Sequence, residues 1–195
     1  MNNYEYIIAS LPVLSSDFRG SLDYESIVSD IAEQLSGKDR TLLETLLDGF
    51  DSDKLNREFY EKALSSSNSF IKGYFEYDLC VRNLRVEFIN RNLSRPEGTD
   101  TIEILGEDFE FEDSDKVSEI LAQSDILKRE RGLDDLMWAR IDELCGMQVF
   151  SIDVILGFAA KLQIIARWLK LDPQTGRELF KQLVNEIRNN KKSIE

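Results

Sequence analysis

Histidine is absent from the 195 residues of this chain. That removes the commonest general base, the Ser–His and Cys–His nucleophile pairs and most zinc sites. Proline and glycine are scarce, at three and ten residues. So few punctuators suit long helices better than a many-turned β fold. The two cysteines, Cys80 and Cys145, stand far apart without metal-type spacing, so no disulfide framework is indicated. Each lies in an apolar helical pattern, where a buried reduced thiol is expected. No apolar run reaches the roughly 18 residues of a membrane span. The first residues, MNNYEYIIASLPVL, have neither a basic n-region nor a small-residue cleavage site. A cytoplasmic protein, with any membrane association peripheral, is the expectation.

Basic charge is also in short supply. The formal net charge is −13 and the pI about 4.6, which excludes the broad basic face that phosphate backbones require. Nucleic acid is therefore not an expected partner. The charge is uneven. Lys161–Glu195 carries eight Lys and Arg against four Asp and Glu, so the acidity belongs to the rest of the chain. Such asymmetry either steers a partner or simply places cations near helix C-termini. No G-x-x-x-x-G-K-[ST] or G-x-G-x-x-G loop is present. Paired carboxylates such as Asp134/Asp135 and Asp142/Glu143 arise from composition in a chain with 37 acidic residues. No catalytic, cofactor-binding or metal-binding residue is assigned, and no cofactor is expected.

What the chain does contain is apolar residues at helical spacing. They make up 42% of it, sufficient for a core. Tyr4–Ala9 fits a short strand or the start of a helix, stopped by Pro12. Helices are predicted at Tyr24–Leu35 and Lys38–Leu47, with Gly37 between them as a C-cap. A third follows, capped by Asp51 or Asp53 and running to Leu64, with Leu55, Phe59 and Leu64 inward. Ser65–Asn68 reads as a turn.

Phe70–Leu93 shows the clearest pattern. Phe70, Tyr74, Tyr77, Val81, Leu84 and Phe88 alternate four and three apart, an a/d seam. Phe75, Leu79, Val86 and Ile89 add a second stripe. A helix with two apolar stripes must be covered on two sides, so this one is expected at the centre of a bundle. Gly73 permits a close approach.

Glu97–Asp115 holds nine acidic residues and no basic one, interspersed with Ile102, Ile104, Leu105, Phe109 and Phe111. It reads as an excursion, with a small hairpin near 100–112 around Gly106, clamped to the body by its apolar residues. It lacks the ligand spacing of a calcium loop. Arg82, Arg85, Arg91 and Arg95 are placed either to pair with it or to meet an acidic partner.

Further helices are predicted at Asp115–Gln123 and Asp125–Arg131, with Gly132 as a break. Asp134 then caps a segment that Gly146 ends. Ser151 opens the second long helix, where Ile155, Ala159, Leu162, Ala166 and Leu169 form a seam beside Val154, Phe158, Ile165 and Trp168. Asp172-Pro173 starts a last helix with Leu179, Phe180, Leu183, Val184 and Ile187 inward. Trp138 and Trp168 read as core residues, with an interface anchor as the alternative.

At the two long helices the sequence resembles the C-type subunit of the V-type and A-type ATPases, termed the d-type subunit in the eukaryotic vacuolar enzyme. Members of that family carry repeated helix pairs with a stretch similar to E-x-D/E-I-R-N-L-R. Glu76, Asp78, Arg82, Asn83, Leu84 and Arg85 resemble it, with extra residues between the acids and Asn83. Ile155–Leu171 followed by Asp172–Ile187 is similar in layout to a later repeat, with Ala160-Lys161 in place. It departs where Leu162 and Ile164 replace acidic positions and Arg167 replaces the Asn. The opening YEYIIASLP also resembles the start of short bacterial proteins associated with V-type ATPases. The resemblance covers about half of the chain and implies two repeats, or a shortened form, where the family usually has three.

The expectation is an all-α bundle of seven or eight helices. It divides into an N-terminal repeat (1–96), the acidic excursion (97–115) and a C-terminal repeat (116–195), packed as one unit. The resemblance implies a non-catalytic part of the ATPase that couples the central rotor shaft to the membrane proteolipid ring, peripheral on the membrane through those partners. The alternative is a free-standing helical adaptor or assembly factor that binds a basic partner through the acidic segment.

Overall fold

A computed structural model describes residues 4–18, 20–106, 109–147 and 149–171. It contains eight α-helices and, among the described residues, no strand. They are α1 (Tyr4–Ser10), α2 (Tyr24–Gln34), α3 (Gly37–Asp48), α4 (Arg57–Leu64), α5 (Ser69–Asn92), α6 (Ser114–Leu121), α7 (Ile126–Cys145) and α8 (Ile152–Leu169). The helix expected after Asp172, with Leu179, Phe180, Leu183, Val184 and Ile187, lies outside the described residues.

Helix starts follow local side-chain chemistry. Asp23, Ser36, Asn56, Asn68 and Asp125 each accept a hydrogen bond from a first-turn backbone N–H of α2, α3, α4, α5 and α7. Each such cap contributes about 0.5–2 kcal/mol. Two caps among the first four helices differ from expectation. Asn56, not Asp51 or Asp53, starts α4, because Lys54 draws Asp48 and Asp51 into a turn of ion pairs. Gly37 is the first residue of α3 and not a C-cap, since Ser36 supplies the cap immediately before it.

Two pillars organise the body. Helix α5 packs against α4, α6, α7, α3 and α8, and α8 packs against α7, α3, α1, α2 and α5. Helices α3 and α7 therefore bridge the pillars. On α5, Phe70, Tyr74, Tyr77 and Val81 of one stripe are buried, as are Phe75 and Leu79 of the other. Burial on both faces is why α5 has no clean polar side along its first half. On α8, Ile155, Ala159, Leu162 and Ala166 are buried, while Leu169 is exposed.

Glycine marks the closest contacts. A Cβ on Gly73 would stand 2.6 Å from Leu144 Cδ2, and one on Gly157 would stand 2.3 Å from Cys145 Sγ. Gly132 does not break a helix. It lies within α7, where a Cβ would meet Ile120 Cγ2 of α6 at 3.0 Å. Asp134 is consequently not a cap but an interior residue of α7, 8% exposed. Gly146 does end α7, at φ 58°.

The expected hairpin near 100–112 is replaced by an irregular return along α5. Backbone groups that a hairpin would pair across strands are taken by α5 side chains. Glu87 Oε1 accepts from Gly98 N at 2.7 Å, and Asn90 Nδ2 donates to Thr99 O at 2.8 Å. Asn83 closes a two-way bridge, donating to Ile102 O at 2.9 Å and accepting from Ile102 N at 3.0 Å. Ile102, Ile104, Leu105 and Phe111 pack against the core, as the clamp reading requires, while Phe109 is exposed.

Candidate docking groove

The most developed concavity is a groove of about 650 Å³ running along α5 between the α3–α4 connection and the last turns of α8. Its apolar walls come from Phe50, Leu55, Val81, Val86, Met137 and Ile164. Four cations, Arg82, Arg85, Arg167 and Lys170, line it beside two carboxylates, Asp78 and Asp134. In a chain of net charge −13 this is a local reversal of sign. It arises because α5 turns Arg82 and Arg85 toward the same opening that receives the basic C-terminal end of α8.

The two carboxylates are held differently. Asp78 accepts from Tyr60 Oη at 2.6 Å, and burial raises its pKa against the opposing pull of that bond and of Arg82. Asp134 accepts from Trp168 Nε1 at 2.6 Å and from Arg167 Nη2. Burial still raises its pKa, outweighing Arg167 and Trp168, with Glu130 adding to the rise. Tyr74 lies near both acids, and burial pushes its phenol well above the ordinary value. A proton is therefore held more readily on these acids than on surface carboxylates.

The cations are unequally satisfied. Arg85 and Arg167 both reach Glu130, the former in a direct hydrogen bond and the latter at 3.9 Å. Arg82 faces Asp78 electrostatically, yet its Nε is buried without a hydrogen-bond partner. Leaving such a donor unsatisfied costs roughly 1–3 kcal/mol. Lys170 is exposed, with no partner among the described residues. Of the four arginines set against the acidic excursion, Arg95 alone makes an ion pair with its described residues, to Asp100 at 2.7 Å. Arg82 and Arg85 turn to the groove, so the proximity of charge in sequence did not decide the pairing.

A second, smaller hollow of about 350 Å³ lies on the other side of α5. Glu76, Glu110, Glu112, Asp113 and Glu143 line it with Lys116, Arg140 and Tyr77. Tyr77 Oη donates to Asp113 Oδ2 at 2.8 Å, and Lys116 bridges Asp113 at 2.7 Å. Lys116, then Tyr77, lower the pKa of Asp113. Among the described residues no group of three or more His, Cys, Asp and Glu is arranged to hold a metal ion.

The sulfurs and tryptophans take packing positions. Both cysteines are free. Burial pushes the Cys80 thiol up to about 12 and that of Cys145 up to about 11. Trp168 is half-buried, its indole N–H anchored on Asp134 and its ring under Arg131 at 5.5 Å. Trp138 is half-buried beneath Lys161, 4.7 Å from the ring centroid.

The groove was missed by periodicity, which marks its floor as ordinary core. The signal available was the i, i+3 pair Arg82/Arg85 set between apolar stripe residues, which puts charge at the edge of a face that should be buried. The motif residues now have places. Asp78, Arg82 and Arg85 line the groove, Asn83 ties down the excursion, Glu76 lines the acidic hollow and Leu84 is half-buried.

Residues 50–191 match the family described as protein of unknown function (DUF2764). The chain belongs to that family. Its matched region takes in α4 to α8 and thus both pillars and the whole acidic excursion. No curated protein and no solved structure matches the chain.

Proposed function

We propose that this protein is a non-catalytic coupling component of a V-type ATPase, seating the central rotor shaft on the membrane proteolipid ring, as the resemblance to the rotor-coupling family implies. The observation that carries this reading is the position of the motif stretch. Glu76–Arg85 occupies the middle of the central helix, and Asp78, Arg82 and Arg85 face an open groove. Of the residues that bear the resemblance, Arg82 and Arg85 thus present cations to a partner in the groove.

A part that carries torque needs stiffness and two distinct surfaces. Stiffness would come from the close contact of α5 and α8 with α7 at Gly73 and Gly157. The distinct surfaces would be the cation-lined groove and the acidic hollow on the far side of α5. No described helix is long and apolar enough to cross a membrane, so contact with the ring would be made through partner proteins, with the protein cytoplasmic and peripheral.

The test is affinity capture of the tagged full chain from detergent-solubilised native membranes, read by mass spectrometry. Co-recovery of shaft and proteolipid components is expected. Recovery without either class would remove the coupling reading.

A second reading, a free-standing adaptor or assembly factor for a basic partner, is favoured by the acidic hollow itself. Five carboxylates around two cations make an electrostatic seat for basic side chains. Under this reading, capture would yield soluble proteins, and raising the salt would release them.

A further inference from the structure

We infer that the groove along α5 receives one acidic amphipathic helix of a partner protein. The inference does not depend on the coupling role, since any partner with such a helix would satisfy it. Three features of the groove select that occupant.

The first is shape. Groove-lining positions on α5 run from Tyr74 to Ile89, about 22 Å at the rise of an α-helix, or about four turns. Apolar residues recur along that length with an open mouth above them, the form of a helix-in-groove site. The second is charge. Lys170 has no partner among the described residues, Arg82 has a buried Nε without an acceptor, and Arg167 is half-exposed. An entering carboxylate would meet the exposed ends of Arg167 and Lys170. The third is the imbalance of satisfaction. Asp78 and Asp134 already accept from Tyr60 and from Trp168 and Arg167, so the vacancies at the groove are for acceptors.

A second copy of this chain fits poorly. Two of its most exposed apolar helix residues, Ile126 and Leu127, adjoin Lys128 and Arg129 and would bring cations to a cationic rim. The exposed Met147, Val149 and Phe150 lie in a segment without acid. Residues 172–195 carry five Lys and Arg against four Asp and Glu, and so offer no acidic excess.

The test is selection from a displayed library of four-turn helical peptides, in which apolar and charged positions vary independently. The immobilised full-length protein is the target, and the double variant Ile89→Glu/Lys170→Glu is the counter-target. Both positions are exposed in the fold, so circular dichroism and the thermal midpoint should be retained. Enriched binders should carry apolar residues at i, i+3 and i+4 with Asp or Glu beside them. They should lose at least about tenfold in affinity on the double variant, a change of about 1.4 kcal/mol. Adding salt should weaken them.

Enrichment of basic or non-helical peptides, equal binding to the variant, or no enrichment at all would overturn the proposal. So would a dimer in light scattering that the double variant dissociates, because the groove would then belong to a second copy. Failure of the wild type to capture ATPase components would remove the coupling role and leave the groove proposal to stand or fall on the peptide selection alone.

Discussion

The two halves of α5 solve different problems with one continuous helix. From Phe70 to Cys80 it is held chiefly by packed apolar and aromatic side chains. Phe70, Ile71, Phe75 and Leu79 are fully buried, and Phe59, Tyr60 and Tyr74 close on Phe75 edge-on at centroid distances of 4.9–6.4 Å. From Val81 to Asn92 the same helix is held by polar ties, with Asn83, Glu87 and Asn90 gripping backbone groups of the acidic return. The first half gains stability from area, the second specificity from hydrogen bonds. The groove lies where one regime gives way to the other.

The sharpest way to break this contrast is to remove a ring from the first half. Phe75→Ala should cost about 3–5 kcal/mol in urea unfolding. Neighbouring rings cannot collapse into the space without leaving their own contacts, and the transition should remain cooperative. A cost below about 1 kcal/mol would mean that this region is loosely packed. Adding volume should also tell. Gly157→Leu places atoms into Cys145 and Ile141, which stand 2.3 and 3.1 Å from the first added carbon. Such overpacking costs about 1–3 kcal/mol or more.

In the second half, Asn83→Leu should behave differently. It removes both bonds to Ile102, leaving its N–H and C=O unpaired, at about 1–3 kcal/mol. The damage should be local. Hydrogen exchange should accelerate across residues 99–104, while amides of α5 before Val81 and of α8 keep their protection. Uniform acceleration through both pillars would show that the acidic return is part of the same cooperative unit.

The contrast also explains what the sequence could reveal. Phe70–Cys80 announces itself because burial by area leaves a period in the apolar residues. The long span of α8 is legible for the same reason. Asn83 and Asn90 carry no such mark, because an Asn that grips a loop has the same spelling as one that faces water. An apolar-acidic alternation at 100–112 therefore suggested a hairpin, although α5 had already taken its backbone partners. Gly132 misled for a related reason. A helix tolerates glycine when a neighbour needs the room, and Ile120 is far enough in sequence to be invisible locally. The groove needed both halves of the chain, since Arg82 on α5 and Arg167 on α8 meet only after folding.

The cysteines provide a kinetic probe of the first half. With thiols pushed up to about 12 and about 11, little thiolate is present at pH 8. Thiol reagents should therefore label native Cys80 and Cys145 far more slowly than the urea-unfolded chain. Rapid native labelling of Cys80 would contradict its burial between α5 and its neighbours.

The smallest effect expected is a difference in the sign of pH dependence between the two sides of α5. Asp78, in the groove, has a pKa raised by burial. Its charge opposes folding, so its contribution is harmless below the ordinary carboxylate range. It becomes a cost as pH rises from the unfolded value through the raised folded one. Asp113, at the acidic hollow, has a pKa lowered by Lys116 and Tyr77. Its contribution is favourable above the unfolded value and disappears as pH falls through the folded one. Asp78→Asn keeps an oxygen for Tyr60 and removes the charge. Relative to wild type, it should gain stability as pH rises from 4 to 7, despite the loss of a counter-charge for Arg82. Asp113→Asn should lose stability relative to wild type as pH rises from 2 to 5, by less, because its partner Lys116 is exposed and the ion pair is screened. Two variants changing in the same direction would mean that burial does not separate the two sides of α5.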